Sequence, residues 1–458
     1  MVRSPAITIA LIAIGALAAC TTFSGLTADS AAVVPNPDGK AAGAQCVDDG
    51  DCASLKCTSG KCTTVAGADP ENGKKDGDET DVDCGGKSAP KCEEGKSCDE
   101  NDDCESASCT SGTCKAPSPD DGLKNADETD VDCGGVAAPK CALDKACEKN
   151  TDCASDACGY EKKCVEFKSC VSHFGGDTCG SGETSAADKK HESCCTVVQS
   201  QSIKVNKYQV TAGRMRAFID RYNGNLKLWA ESNPKGWNSA WNSELPGSPD
   251  EALESMGPAA KRGCRITQSG GGSRTYWTPE RQYVDGNVDK QSYPQDVLDE
   301  KALNCVSWHL AQALCVFDGG RLMSNAELKS LRTNGGATRW PWGDTPSFQF
   351  KSGSNPANHT YNYQLPQSTT QDQTRFVSPP GRFPAGANQD GVQDLIGNVM
   401  PWVNDNPRRF AWTASWEDSH PPAGVSGVPE TQLWPQANGS GGPDANGYWA
   451  IGFRCVFE

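Results

Sequence analysis

The longest apolar run in the chain lies at its start, from Ala6 to Ala19, and no later stretch approaches it. At 14 residues it is shorter than the roughly 20 needed to cross about 30 Å of hydrocarbon, so it does not read as a membrane span. Residues 21–45 are rich in Ala, Ser, Gly and Pro without any apolar period, the composition of a flexible tether. From Cys46 to Cys164 large apolar residues are too sparse to predict an amphipathic helix or strand, and periodicity returns only beyond residue 200. Ile203 to Val210 alternates apolar and polar positions and predicts a half-buried strand. Thr211 then caps a predicted helix over Ala212 to Tyr222, with Met215, Phe218 and Ile219 on one face. A second helix is expected from Ser307 to Phe317, where Trp308, Ala311, Leu314 and Cys315 fall at helical spacing. The rest of residues 201–458 is dense in Gly, Pro, Asn and aromatic side chains, which predicts an irregular, loop-rich α+β domain.

The chain start carries more than hydrophobicity. Arg3 precedes the apolar run, and the run ends in Leu17-Ala18-Ala19-Cys20, small residues before a cysteine, as in a secretory signal. The tetrad resembles the bacterial lipobox. That resemblance implies that residues 1–19 are removed and that Cys20 is lipidated with long acyl chains, palmitate among them. Each buried methylene then contributes about 0.8 kcal/mol to membrane attachment. The expected location is extracytoplasmic, with the chain anchored by lipid to a bacterial membrane; Thr21 in place of Asp after the cysteine resembles the outer-membrane pattern.

Setting aside Cys20, the 25 cysteines leave 25 − 1 = 24, an even and dense set that an exported chain is expected to oxidise. Twelve form three quartets of nearly constant spacing: Cys46, Cys52, Cys57 and Cys62; Cys98, Cys104, Cys109 and Cys114; Cys147, Cys153, Cys158 and Cys164. Between them, Asp81-Val82-Asp83-Cys84-Gly85-Gly86 with Cys92 recurs 49 residues later as Asp130-Val131-Asp132-Cys133-Gly134-Gly135 with Cys141. A fixed period of this length marks small units in series, here a cysteine-rich acidic stalk over residues 46–164. Units this small cannot bury a core, so disulfides are expected to hold them, paired inside each quartet and as Cys84 with Cys92 and Cys133 with Cys141. Spacing alone leaves the order within a quartet open. Residues 165–200, with Cys170, Cys179, Cys194 and Cys195, form a disulfide-bearing junction, and Cys264, Cys305, Cys315 and Cys455 lie in the C-terminal domain. A zinc framework is disfavoured, because no C-x-x-C pair occurs and histidines number only five.

The formal net charge is −16 and the pI about 4.9, a balance that disfavours a nucleic-acid partner, because phosphate binding needs basic patches. Acidic residues gather before the Gly-Gly turns: Asp78, Asp81 and Asp83, and at the 49-residue offset Asp127, Asp130 and Asp132. Oxygen side chains at short spacing beside glycine are what calcium needs, so these combs are candidate calcium ligands, although their spacing is not that of an EF-hand. Nucleophile-elbow and H-E-x-x-H patterns are missing, and Gly95-Lys96-Ser97 lacks the upstream glycine of a phosphate loop. The tryptophan-rich loops, with Trp237, Trp241, Trp412 and Trp416, are the candidate face for a protein or carbohydrate ligand.

Six segments of the C-terminal domain, in this order, resemble the formylglycine-generating enzyme, or sulfatase-modifying factor, family: Lys207-Tyr208-Gln209-Val210-Thr211; Cys305-Val306-Ser307-Trp308 with Ala313-Leu314-Cys315; Gly320-Arg321-Leu322; Trp340-Pro341-Trp342-Gly343; Asp394-Leu395-Ile396-Gly397-Asn398-Val399; and Ile451-Gly452-Phe453-Arg454-Cys455. The resemblance implies an irregular α+β fold related to C-type lectin-like domains. It also implies a structural calcium near Asn398 and the Val399 carbonyl, with a second near Asn358. Family members oxidise a protein cysteine with copper held by two cysteines shortly before the final Gly-Phe-Arg segment. Between Trp416 and Arg454 this chain has no cysteine, and Pro401 stands where the family carries a calcium-binding glutamate. Copper is therefore not expected, no catalytic residue is assigned, and a non-catalytic binding or scaffolding domain is the leading expectation. The alternative is a formylglycine-generating type of oxidoreductase with a different metal site.

Overall fold

The computed structural model describes residues 44–48, 51–52, 57–62, 70–171, 177–184, 186–256, 275–276, 294–344, 377–405, 409–411, 433–435 and 451–458. Cys20, Cys264, Asn358, Trp412 and Trp416 lie outside them. The chain divides into two compact units, residues 1–105 with 109–115, and residues 106–108 with 116–458.

In the first unit cystine takes the place of a hydrophobic core. The clusters of buried apolar residues there consist of cysteines alone. Each quartet carries a two-stranded antiparallel hairpin, β1 (Cys57–Thr58) with β2 (Lys61–Cys62) and β3 (Cys109–Thr110) with β4 (Thr113–Cys114). Pairing within a quartet runs first to third and second to fourth: Cys46–Cys57 and Cys52–Cys62, then Cys98–Cys109 and Cys104–Cys114. Cys84 bonds Cys92. The repeat beginning in the second unit follows the same scheme, with Cys133–Cys141, Cys147–Cys158 and Cys153–Cys164. Closing a loop of about 10 residues stabilises a fold by roughly 2 to 3 kcal/mol per bridge on chain-entropy grounds, enough to replace a core this small.

The second unit is built on two four-stranded sheets. One has the order β7 (Val197–Ser200), β8 (Ile203–Asn206), β14 (Cys455–Phe457), β9 (Arg321–Leu322), antiparallel throughout. The other runs β12 (Leu433–Pro435), β11 (Arg409–Ala411), β10 (Met400–Val403), β13 (Ile451–Gly452), with β10 and β13 parallel. A further hairpin, β5 (Cys179–Ser181) with β6 (Lys190–Glu192), is stapled by Cys179–Cys194. The helices are α1 (Ala212–Arg221), α2 (Leu226–Glu231), α3 (Pro249–Met256), α4 (Gln295–Asp299), α5 (Trp308–Phe317) and α6 (Asn325–Arg332).

Both expected helices form where their caps place them. The Thr211 hydroxyl accepts from Arg214 N and the Ser307 hydroxyl from Leu310 N, each satisfying an amide the first turn leaves open. Every residue of α5 is buried, and it packs with α1 in the larger core alongside Phe218, Trp229 and Trp402. The expected strand from Ile203 ends at Asn206, because the chain then turns to other partners: Lys207 N bonds Thr196 O and Val210 N bonds Phe453 O. β7 lies inside the expected junction, so residues 197–200 belong to the domain's sheet. Phe167, stacked on Phe457 with centroids 4.5 Å apart, ties the junction to that sheet as well.

Candidate functional site

The acidic combs before the Gly-Gly turns hold backbone amides. Asp78 accepts from Lys87 N at 2.8 Å, Asp81 from Ser97 N at 2.6 Å and Val82 N at 2.6 Å, and Asp83 from Gly73 N at 2.9 Å. One repeat later Asp127 accepts from Val136 N at 2.6 Å, Asp130 from Ala146 N at 2.7 Å and Asp132 from Gly122 N at 2.8 Å. Residues expected as calcium ligands thus act as internal struts, in the same way in both copies. The amides of Ser97 and Val82, in that order of weight, hold the Asp81 carboxyl down to about 2. Gly86 sits at φ +73°, and a Cβ there would come within 2.1 Å of the Asp78 carbonyl, which explains the glycine. Sequence reasoning missed Asp103 and Asp152, the most deeply buried aspartates at matching places in the two repeats. Asp103 accepts from Gly86 N, Asp99 N and Glu100 N at 2.8 to 3.0 Å. Burial pushes its carboxyl up, but these amides outweigh burial and leave it below the usual range.

In the second unit three of the family motifs meet in buried hydrogen bonds. Asn398 adopts a left-handed φ of 59°, which asparagine tolerates. Its side-chain oxygen accepts from Ser378 N at 2.9 Å, and its amide group donates to Gln209 Oε1 at 3.0 Å and Ser378 O at 3.1 Å. The Val399 carbonyl accepts from Gln209 Nε2 at 2.9 Å. The two oxygens expected to ligate calcium are therefore engaged by protein donors, which join the Lys207–Thr211 motif to the Asp394–Val399 motif. Pro401 lies opposite Gly452 in the parallel β10–β13 register. Arg454 donates to Asn206 O at 2.5 Å and to Gln393 O, so the final motif anchors the same network.

Asp394 is the one carboxyl of this network that burial shifts strongly. Desolvation pushes it up to about 6, against the Gly381 amide at 2.6 Å and the charges of Arg454 and Arg382, which act the other way. In the unfolded chain it titrates near 3.8. Between these values the folded state binds the proton more strongly, so this group's contribution to stability falls as pH rises from about 4 to 6 and levels off above. Asp394→Asn keeps an oxygen for Gly381 N and loses the titration. Urea unfolding of the two proteins between pH 4 and 8 should show the variant gaining on wild type across that window; parallel curves would refute the assignment.

Trp237 and Trp241, expected on a recognition face, are half-buried members of an aromatic ladder. Successive ring centroids from Trp229 through Trp237 and Trp241 to Trp308 are 5.1, 5.2 and 5.1 Å apart, in edge-to-face contact. Such pairs add about 0.5 to 1.5 kcal/mol each beyond burial, so both rings serve the core first and offer only part of their surface to a ligand. His309 is buried beside Trp308 at 5.4 Å as a packing residue.

The cysteine chemistry does not fit a cuprous ion. Cys315 and Cys455 form one disulfide and Cys305 is also disulfide-bonded, so none of these three is a thiolate, while residues 417–453 contain no cysteine. These features define an irregular, loop-rich α+β domain. The profile of the sulfatase-modifying factor enzyme 1-like domain matches residues 162–458, and the chain belongs to that family. Its matched region begins inside the third cysteine quartet, consistent with the strand and aromatic contacts that bind the junction to the domain. Among solved structures the chain is similar to PvdO from Pseudomonas aeruginosa, at 20% identity over 56% of this chain and 80% of that one, with a TM-score of 0.29. It is also similar to CarF, at 14% identity over 61% of this chain and 96% of that one, with a TM-score of 0.28. No curated protein matches. The dense disulfides mark an extracytoplasmic protein, and no helix among the described residues is long and apolar enough to cross a membrane.

Proposed function

We propose that this protein is a lipid-anchored extracytoplasmic lipoprotein in which a cystine-held stalk carries a sulfatase-modifying-factor domain that binds or scaffolds rather than oxidises. One observation carries the reading: the segment where relatives place two copper-binding cysteines has none, and Cys315 and Cys455 are consumed in a single bridge. A soft cuprous ion needs thiolate, and without it dioxygen activation on this fold loses its donor set. The tether and Cys20 motif support anchoring to a membrane, the outer membrane by the Thr21 pattern. The half-buried Trp237 and Trp241 support recognition of a protein or carbohydrate partner through their remaining surface.

The test uses the purified full chain incubated with copper(I), dioxygen and a cysteine-containing peptide, followed by mass spectrometry of the peptide. Unchanged peptide and no stoichiometric copper are expected. Conversion of cysteine to formylglycine would establish the oxidoreductase reading instead. Separately, Cys20→Ala should move the protein from the membrane fraction to the soluble one, and retention on membranes would remove the lipid anchor from the proposal.

A further inference from the structure

The aromatic ladder is buried at its two ends and open in its middle. Trp229 and Trp308 are 4% and 1% exposed, whereas Trp237 and Trp241 between them keep surface. Their rings stand at 81° with centroids 5.2 Å apart, so the pair forms a corner rather than a flat patch. Local hydrogen bonds fix that corner. Trp237 N bonds Pro234 O, Trp241 N bonds Asn238 O, and the Trp237 indole N–H donates to Asn242 Oδ1 at 2.8 Å. Asn238 Oδ1 accepts from Ala240 N at 3.0 Å, which caps the short 3-10 helix Ser239–Glu244.

In both asparagines the oxygen meets a group that can only donate, and this settles which end of each amide is nitrogen. Neither NH2 group has a protein acceptor among the described residues. Two oriented donors therefore stand beside the corner, Asn242 touching the edge of the Trp237 ring and Asn238 following Trp237 in the chain. The surrounding side chains are neutral. From Ser232 to Ser243 six of twelve residues are Asn or Ser and Lys235 alone is charged, in a chain of net charge −16. Such a rim gives an ionic ligand little to pair with. An indole face attracts C–H groups, and preset N–H donors beside it match hydroxyl oxygens. A peptide would bring backbone N–H groups in need of acceptors, and both amide oxygens are already engaged. We infer that the Trp237–Trp241 corner, with Asn238 and Asn242, is a binding site for a neutral saccharide; this rests on the binding role proposed above and names the class of its ligand. Because the groups are fixed beforehand, little ordering opposes binding.

The test is isothermal titration calorimetry of the purified full chain with hexamers of glucose, mannose, galactose and N-acetylglucosamine, beside hexagalacturonate and a capped Gly-Ser peptide. Saturable binding of at least one neutral hexamer is expected, and no binding of the last two. Asn238→Ser with Asn242→Asp keeps an acceptor for Ala240 N and for the Trp237 indole but removes both NH2 groups. This double variant should bind the same hexamer at least tenfold more weakly with an unchanged thermal midpoint. Trp237→Leu should abolish binding; if it does not fold, the asparagine variant decides alone. Equal affinity of wild type and the asparagine variant, no saturable binding of any neutral hexamer, or preference for hexagalacturonate or the peptide would overturn the site. The non-catalytic reading fails on a different result, oxidation of the cysteine peptide.

Discussion

Removing the Cys315–Cys455 bridge, by substituting both cysteines with alanine, should cost more stability than removing any single bridge of the stalk. The two residues are 140 positions apart, no other cysteine falls between them, and both are fully buried. On the chain-entropy scale a closed loop of this length contributes about 5 kcal/mol, against roughly 2 to 3 for the ten- or eleven-residue loops of the quartets. In a domain of this size that corresponds to a fall in thermal midpoint of roughly 10 to 20 °C. The bridge also joins the last full turn of α5 to β14, whose neighbours β8 and β9 complete the sheet. Its loss therefore leaves the C-terminal strand without a covalent tie to α5, held by short ladders and side-chain packing. Differential scanning calorimetry of the double variant measures the effect. A shift of only a few degrees would mean that sheet and core already fix the loop ends, and that the bridge is dispensable to the fold.

The parts of this fold that local chemistry controls were legible in the sequence. The caps Thr211 and Ser307 set the starts of α1 and α5, and the 49-residue period set the repeating units. The α6 capping box was equally local, Ser324 with Glu327 three residues on, and a search for S-x-x-E would have found it. Other features depend on contacts far away in sequence. The order of pairing within a quartet depends on how a hairpin folds back on its leading segment: Cys57 and Cys62 stand opposite each other in the ladder, yet each bonds a cysteine outside the hairpin. The strand at Val197–Ser200 has no clear alternation, and its place at the sheet edge comes from pairing with β8. The acidic combs were legible as oxygen-rich turns, but which backbone amides those oxygens accept from depends on how each turn folds, and composition does not carry that. The same holds for Asn398, whose oxygen accepts from Ser378 N across 20 residues of chain. Trp237 and Trp241 were legible as aromatic but not as ladder members, because Trp308 lies more than sixty residues further along.

Substituting Asp318 should be the most damaging single change in a charged residue of the domain. Its carboxylate and the Arg214 guanidinium are both 0% exposed, 2.8 Å apart. The same carboxylate accepts from Ser169 N at 2.9 Å and from the Ser169 hydroxyl at 2.6 Å, and that hydroxyl in turn accepts from Arg214 Nε at 2.9 Å. One aspartate at the C-terminal cap of α5 thus fixes α1 and also the turn at residues 168–171, well before the first sheet strand. Asp318→Ala strands a buried cation, which costs about 3 to 5 kcal/mol and far exceeds the net worth of an exposed ion pair. Replacing both partners with apolar side chains, Arg214→Met with Asp318→Leu, removes both charges together and should cost less than Asp318→Ala alone. Chemical denaturation of Arg214→Met, Asp318→Leu and their double variant completes the cycle that supplies the coupling energy, with Asp318→Ala measured beside them. If the double variant is less stable than Asp318→Ala, the cluster's value lies in the attraction and hydrogen bonds it makes; if it is more stable, the damage in Asp318→Ala comes from the orphaned charge of Arg214.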